Sequence, residues 1–529
     1  MPRYQSFAFQ AFGKGLNLRD KPDAVEPSEA IDALNVIFTD RGAIEQRAGY
    51  EALTGTALTN RPDSLEAFYT SSGTKQLVAG CGTRLEALNT SGAIVSSLTG
   101  LTEGPWDFAR FGKPNEEALF AGNGKDTLRK WNGSAWSTPK ATVIKGIPGE
   151  EVTETEKAMP KAHYLEVTPW DNRLMAAGFG TTTGGPNGET SSPSHVYFSD
   201  AGNPESWHTL SSEQLTPGDG EKIQAVVAWR EFVFVFKESK FFVFYGTSVD
   251  EEGLPEFNYR PVAGGVGLVS PRAVCAHHTG VYFLGKDGVY KTTGQEPELI
   301  SPLVSPIFLG GASAFYQGGT LIQSALTSCA MTAFGDRIYL SFPTESTNNR
   351  TLVFDTRYSW WSLYDLPCAA LTTFKASSTE ELVFGYAVGV NKVGRHGPSY
   401  TNDAGTAITS RWRSGWFDLG SADDKKIRAR KIWGTGNSQM GISDDFEESV
   451  GTLSNLSMEA TGGTQWGGST WGGGLWSEVN ALIGQEIRVA TRGTAFSMYF
   501  ANATLNQNWS VHRIELLVPS VREPGVIQK

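Results

Sequence analysis

The sequence predicts an all-β fold: a β-propeller of about seven four-stranded blades, followed by a C-terminal β-sandwich. Three observations carry that prediction. Apolar residues alternate with period two in short runs, the pattern of strands. The runs fall into groups of four, and the groups recur about every 51 residues. The composition is rich in glycine (60 residues) and aromatics (11%) and poor in charge (19%). That balance suits short strands joined by tight turns.

The elements follow in chain order. Residues 1–55 are expected to form an N-terminal arm and a ring-closing strand. Pro27–Leu34 opens with a proline-serine start and is the best helical candidate of the chain. The stretch Gly42–Leu53 reads as a strand that joins the last blade and closes the ring. Residues 56–404 form the propeller. Its first group reads Ser64–Thr70, Lys75–Gly80, Thr83–Leu88 and Ala93–Leu98, separated by Ser/Gly and Asn/Thr/Ser/Gly turns. The second reads Trp106–Phe111, Glu117–Ala121, Thr127–Trp131 and a short strand at Ala135-Trp136. Similar groups start near Ala162, Lys222, Pro271, Ala325 and Ala369.

The second strand of each group is the landmark. Its first strongly apolar residue falls at Leu77, Leu119, Leu174, Val233, Val281, Ile338 and Leu382. Known propeller blades repeat at roughly 40–50 residues with four strands each. One four-stranded sheet cannot bury both faces alone, and blades around an axis cover one another. Seven blades fit best, and six or eight also fit the irregular spacing. Polar insertions interrupt the pattern at 137–161 and 180–194. Long loops on a rigid scaffold often carry contacts, but a solvated excursion explains them equally well.

Residues 405–529 hold longer strands: Ile408–Leu419, Lys426–Trp433, Gln485–Thr491, Ala495–Ala501 and Trp509–Val518. They are expected to form a separate sandwich. Between them lies a Gly-rich run with Trp466, Trp471 and Trp476. These three are candidate glycan-stacking or packing aromatics, and packing is the commoner use of a strand tryptophan.

Charge narrows the function. The net charge is −11 and the isoelectric point about 5.3. A protein that binds nucleic acid by neutralising phosphates carries a basic footprint, which is absent here. A wall past which DNA slides has no such need. Cys81, Cys275, Cys329 and Cys368 are far apart in sequence and read as free thiols of a reducing compartment. The start, Met1 to Gln5, shows no leader pattern, and no apolar stretch reaches membrane-spanning length.

No catalytic, cofactor or metal motif is found. The seven histidines (His163, His195, His208, His277, His278, His396, His512) make no zinc spacing. Gly122-Asn123-Gly124-Lys125 lacks the Ser/Thr of a phosphate loop and reads as a hairpin turn. Asp250-Glu251-Glu252 and Asp444-Asp445-Phe446-Glu447-Glu448 lack calcium-loop spacing and read as turns. Sialidase-type Asp turns are approached at Ser199–Trp207 and Lys286–Thr292 without a match. The chain is therefore expected not to be an enzyme.

One resemblance adds to this reading. The N-terminal stretch reads Gly13–Asp23 (GKGLNLRDKPD), then Ala30–Val36 (AIDALNV), then Arg41–Tyr50 (RGAIEQRAGY). A glycine-led segment, a proline, an A-x-N-x stretch and then G-x-(hydrophobic)-x-x-R-x-G resembles the opening of bacteriophage tail propeller proteins. The nozzle, or tail tubular protein B, of short-tailed phages has this layout. Asn349–Asp355 with Trp360–Tyr364, Ile223–Trp229 with Phe232–Lys237, and the closing Trp509–Pro519 strand with its Arg-Glu-Pro-Gly tail look similar to blade hairpins and the end of such proteins. The chain is shorter than large nozzle proteins, and related propellers also serve as minor tail proteins of long-tailed phages.

The resemblance implies a structural virion component, made in the host bacterial cytoplasm and placed in the distal tail. It implies several copies, expected to be six, ringing a channel that DNA crosses during ejection without specific binding. Neighbouring tail proteins (adaptor, fibre or tube) would be the partners, and the family brings no cofactor or catalytic residue. Two other readings stay open. One is a minor tail or receptor-binding protein that holds host glycan through Trp466, Trp471 and Trp476. The other is a free-standing propeller lectin or glycosidase, which a monomer with a central pocket lined by arginines and carboxylates would favour.

Overall fold

The computed structural model describes residues 4–113, 116–145, 153–180, 184–185, 193–251, 254–421, 423–458 and 483–519. Seven sheets, antiparallel but for one added pairing in blade 3, stand around one axis as the blades of a propeller. Blade 1 runs Pro62–Tyr69, Lys75–Cys81, Arg84–Leu88 and Ile94–Leu98. Blade 2 runs Asp107–Phe111, Ala118–Gly122, Arg129–Trp131 and Trp136–Ser137. Blades 3 to 6 begin at Tyr164, Ala225, Val274 and Ala330. Blade 7 holds Cys368–Phe374, Glu381–Tyr386 and Val393–His396. Its fourth strand is Tyr50–Ala52, which pairs with Val393–His396 so that Tyr50 faces His396. The ring is thus closed by the end of the stretch Gly42–Leu53 expected to do so, whereas its first part, Ile44–Gln46, is a strand of another sheet. Every one of the seven landmark residues lies in the second strand of its blade.

Blade 4 shows why such strands form. Its second strand is Phe232–Phe236, FVFVF, and four of its five residues are buried. Side chains of a strand alternate between faces. Val233 and Val235 pack with Phe198 and Met175 of blade 3. Phe234 and Phe236 pack with Val281 and Phe283 of blade 5. A strand buried on both faces must be apolar at every position, and full burial of each such side chain contributes about 1.5–3 kcal/mol.

The insertion at 137–161 contributes structure. Lys140–Lys145 and Thr153–Ala158 form a hairpin, and Thr142–Ile144 pairs in parallel with Ser206–His208 to widen blade 3 to six strands. The outer strand reads TETEKA and is fully exposed. Charge along such an edge discourages further pairing. Of the second insertion, residues 181–183 and 186–192 lie outside the described residues.

The remaining strands build one nearly closed sheet of ten. Its spine is the 20-residue strand Lys425–Asp444. The first half pairs with Ile483–Gly493 and Trp509–Pro519, and the second half with Ser454–Met458 and Phe496–Asn502. The spine's register with Trp509–Pro519 shifts between Trp433 and Gly434, and an added Cβ at Gly434 or Gly436 would strike the Ser510 or Asn508 carbonyl. A β unit stands at the C-terminus as predicted, but it is one nearly closed sheet that shares a core with blades 5 and 6, and the N-terminus contributes to it. Tyr4–Phe9, Ala30–Leu34, Val36–Phe38 and Ile44–Gln46 are strands of the same sheet. The N-terminal residues are therefore not a separate arm.

The helix expected over Pro27–Leu34 is a correction. Ala30–Leu34 is a strand with all five residues buried, paired with Ser410–Ser414. With all five residues buried, Asp32 among them and met by Arg411 of the partner strand, no face is left for water as a surface helix requires, and sheet pairing wins. One continuous core runs from blades 5 and 6 (Tyr282, Leu284, Leu340, Trp361) into the sheet (Trp412, Phe500, Ile514).

Candidate functional site: the Arg47 junction and the propeller axis

Two buried polar centres are built from distant segments. The first lies where propeller and sheet meet, and the N-terminal motif makes it. Leu16 N–H donates to the Trp361 carbonyl at 3.0 Å and Asn35 N–H to the Leu363 carbonyl at 2.8 Å. These bonds cover the outer strand of blade 6. Asn35 holds φ at 57°, a left-handed conformation that asparagine tolerates better than most residues. Its Nδ2 donates to the Thr409 carbonyl at 2.7 Å, and its Oδ1 accepts from Arg47 Nε at 2.7 Å and from Asp365 N–H at 3.0 Å.

Arg47 is fully buried. All five of its donors are used. Besides Asn35, they reach the Ala48 carbonyl (2.9 Å), both oxygens of Asp403 (2.9 and 2.6 Å) and Asp365 (2.5 Å). Burial opposes its charge, but the bonds to Asp403 and the field of Asp365 more than compensate, so its pKa is raised. Two neighbours feel this centre. Burial, then Arg47, pushes His396 down to about 3, and its Nδ1 lies 2.9 Å from the Gly49 carbonyl. Burial, then Asp403, raises Tyr50. Gly49 sits against the Asn402 backbone with no room for a Cβ. Gln46 completes the node by donating to the Gln507 carbonyl at 3.0 Å and accepting from Ser410 Oγ at 3.0 Å.

The second centre is the propeller axis. The first strands of the blades stand side by side around it. They enclose a cavity of about 590 Å³ to which all seven blades contribute. Each neighbouring pair of blades is tied by a hydrogen bond. Ser64 Oγ accepts from Trp106 N–H (2.8 Å), Asp107 from Leu165 N–H (2.9 Å) and Glu166 from Ala228 N–H (2.8 Å). Trp229 Nε1 donates to the His277 carbonyl (2.6 Å), and His277 Nε2 to the Gly335 carbonyl (3.1 Å). Ser341 Oγ donates to the Cys368 carbonyl (2.8 Å), and Lys375 N–H to the Tyr69 hydroxyl (2.8 Å). These bonds satisfy strand-edge groups that would otherwise be costly to bury.

Arg272 crosses this space. Its Nη1 donates to the carbonyls of Asp63 (2.5 Å) and Ala369 (3.0 Å), and its Nη2 to that of Ser328 (3.3 Å). One side chain from blade 5 thereby joins the leading ends of blades 6, 7 and 1. Burial lowers its pKa. Glu66 pairs with Arg110 at 2.7 Å and Arg61 with Asp63 at 2.7 Å. Burial, with the nearby Glu166 charge, lifts Asp107 to about 8 against the Leu165 bond. Burial, then Arg272, pushes His163 down to about 4.

The other sequence candidates fall elsewhere. Trp466, Trp471 and Trp476 lie outside the described residues. The Asp444–Glu448 cluster is a turn: Asp445 accepts from Thr494 and Ala495, and the Glu447 and Glu448 carbonyls accept from Arg413. His277, His278 and Asp336 bring three ligand-type atoms within 4.8 Å of one another. His277 spends both ring nitrogens, however, on Gly335 and on Thr279 Oγ1 at 2.8 Å, and Asp336 faces Arg357 at 3.4 Å. The four cysteines are free thiols. No helix among the described residues is long and apolar enough to cross a membrane.

Sequence reasoning missed Asp365, Asp403 and Arg272. Nothing local marks them, since their partners are carbonyls or residues hundreds of positions away.

No family model matches the chain, and no curated protein does. Solved structures do resemble it. BBS1N in complex with ARL6DN, soaked with mercury, aligns at 9% identity with a TM-score of 0.38, over 67% of this chain and 98% of that one. The same complex soaked with lead gives 10%, 0.37, 67% and 98%. The extracellular domain of the putative one component system BT4673 from B. thetaiotaomicron gives 9% and 0.37, over 80% of this chain and 57% of that one.

Proposed function

We propose that this chain is a structural component of a bacteriophage tail, nozzle-like, whose copies ring a channel that DNA crosses on ejection. One observation supports the reading most. The residues through which the N-terminus resembles tail propeller proteins, Asn35, Arg47 and Gly49 among them, are those that join the propeller to the ten-stranded sheet. A motif whose Asn35, Arg47 and Gly49 are spent on joining two units suits a protein whose task is its shape. The carboxylates of the axis are likewise engaged, Asp107 and Glu166 with backbone and Glu66 with Arg110. The axial cavity is far too small for a duplex, and Arg272 spans it. In this reading the DNA path runs between copies.

Native mass spectrometry or electron microscopy of the protein with tail-adaptor and fibre proteins tests this. A closed ring of about six copies that forms with the adaptor is expected, since symmetric closure is how such interfaces terminate. A persistent monomer that ignores every tail protein would refute it. A second reading, a ligand-binding propeller, is favoured by the axial cavity with its arginines and carboxylates.

A further inference from the structure

The axial cavity is lined by an arginine that has no carboxylate within ion-pair distance among the described residues. Arg61 is paired with Asp63, and Glu66 with Arg110. Asp107, lifted to about 8, is largely protonated at neutral pH. Arg272 has no carboxylate partner within ion-pair distance among the described residues; its three acceptors are neutral carbonyls. Three of its five N–H groups are used, and Nε–H has no protein acceptor there. Arg272 is half-buried, so its free N–H groups face the cavity, where an anion can reach them.

The walls around Arg272 suit a ligand with an apolar body. Trp106, Phe108, Tyr164, Val226, Val274 and Met331 line the cavity. Ser64, Thr332 and Thr372 add hydroxyls to the same wall. A volume of about 590 Å³ is within the usual range for small-molecule sites, roughly 300–1,000 Å³. The geometry points to the axial cavity as a binding site for a small organic anion, whose carboxylate or phosphate meets the Arg272 guanidinium while its body lies against the aromatic wall. The fork of an arginine recognises either oxyanion. This site is independent of the tail reading, because it lies inside one copy and leaves the outer surfaces unchanged.

Calorimetric titration of the whole chain with benzoate, phenyl phosphate and benzyl alcohol tests it. The two anions separate a carboxylate site from a phosphate site, and the alcohol is the uncharged control. One of the anions is expected to bind saturably at one per chain, and the alcohol at least about tenfold more weakly. Arg272→Gln should weaken the anion by about tenfold or more. That variant also removes ties between blades, so Thr332→Trp, which fills the cavity and leaves Arg272 in place, serves as the second probe and should abolish binding. No saturable binding at millimolar ligand, or binding that both variants leave unchanged, overturns the assignment.

Discussion

Arg47 is fully buried and Arg272 half-buried on the axis, and their surroundings answer the charge in opposite ways. At the junction, two carboxylates, an asparagine and the Ala48 carbonyl use every donor of Arg47. On the axis, Arg272 meets only carbonyls and keeps a donor facing a cavity. A fully compensated buried charge is a fastener: removing one partner strands the others. A charge met by dipoles alone ties blades together and still attracts an anion. The contrast separates what holds this molecule together from what is left to bind.

The largest effect should come from breaking the compensated side. Arg47→Met strands Asp365 and Asp403 and should cost about 3–5 kcal/mol in urea unfolding. Replacing the two aspartates along with it should recover part of that loss. Gly49→Ala comes next. It forces a methyl into the Asn402 backbone and should cost about 1–3 kcal/mol.

A third effect belongs to the axis and depends on pH. Asp107 titrates near 8 when folded, above its unfolded value of 3.8, so the folded state holds the extra proton between those values. Stability therefore falls as pH rises toward 8, by at most about 1.4 kcal/mol per pH unit. His163 and His396, pushed down to about 4 and about 3, act the other way and only below their unfolded value of 6.5. Between pH 6.5 and 8 the wild type should lose stability while Asp107→Asn stays flatter in thermal melts. The smallest effect should be Arg61→Ala. Its ion pair with Asp63 is half exposed, so stability should change by about 0–1 kcal/mol, and less at high salt.

Much of this architecture is legible in the sequence because blades are local. A strand such as Phe232–Phe236 is apolar on both faces and pairs with chain neighbours a few residues away. Period and turn residues therefore place it. The sheet is less legible. Ala30–Leu34 pairs with Ser410–Ser414, and a proline-serine start cannot reveal a partner that far along the chain. The polar centres are least legible. Arg47 meets Asp365 and Asp403 across 318 and 356 positions. The motif was visible, but its partners were not. Arg272 is harder still, since a carbonyl acceptor carries no side-chain identity.

The N-terminal motif is expected to weld propeller and sheet into one cooperative body. Differential scanning calorimetry of the wild type and Arg47→Met tests it most directly. The wild type should unfold in a single transition, and Arg47→Met should split into two, with propeller and sheet melting apart. Two transitions in the wild type, or a single unshifted one in the variant, would contradict it.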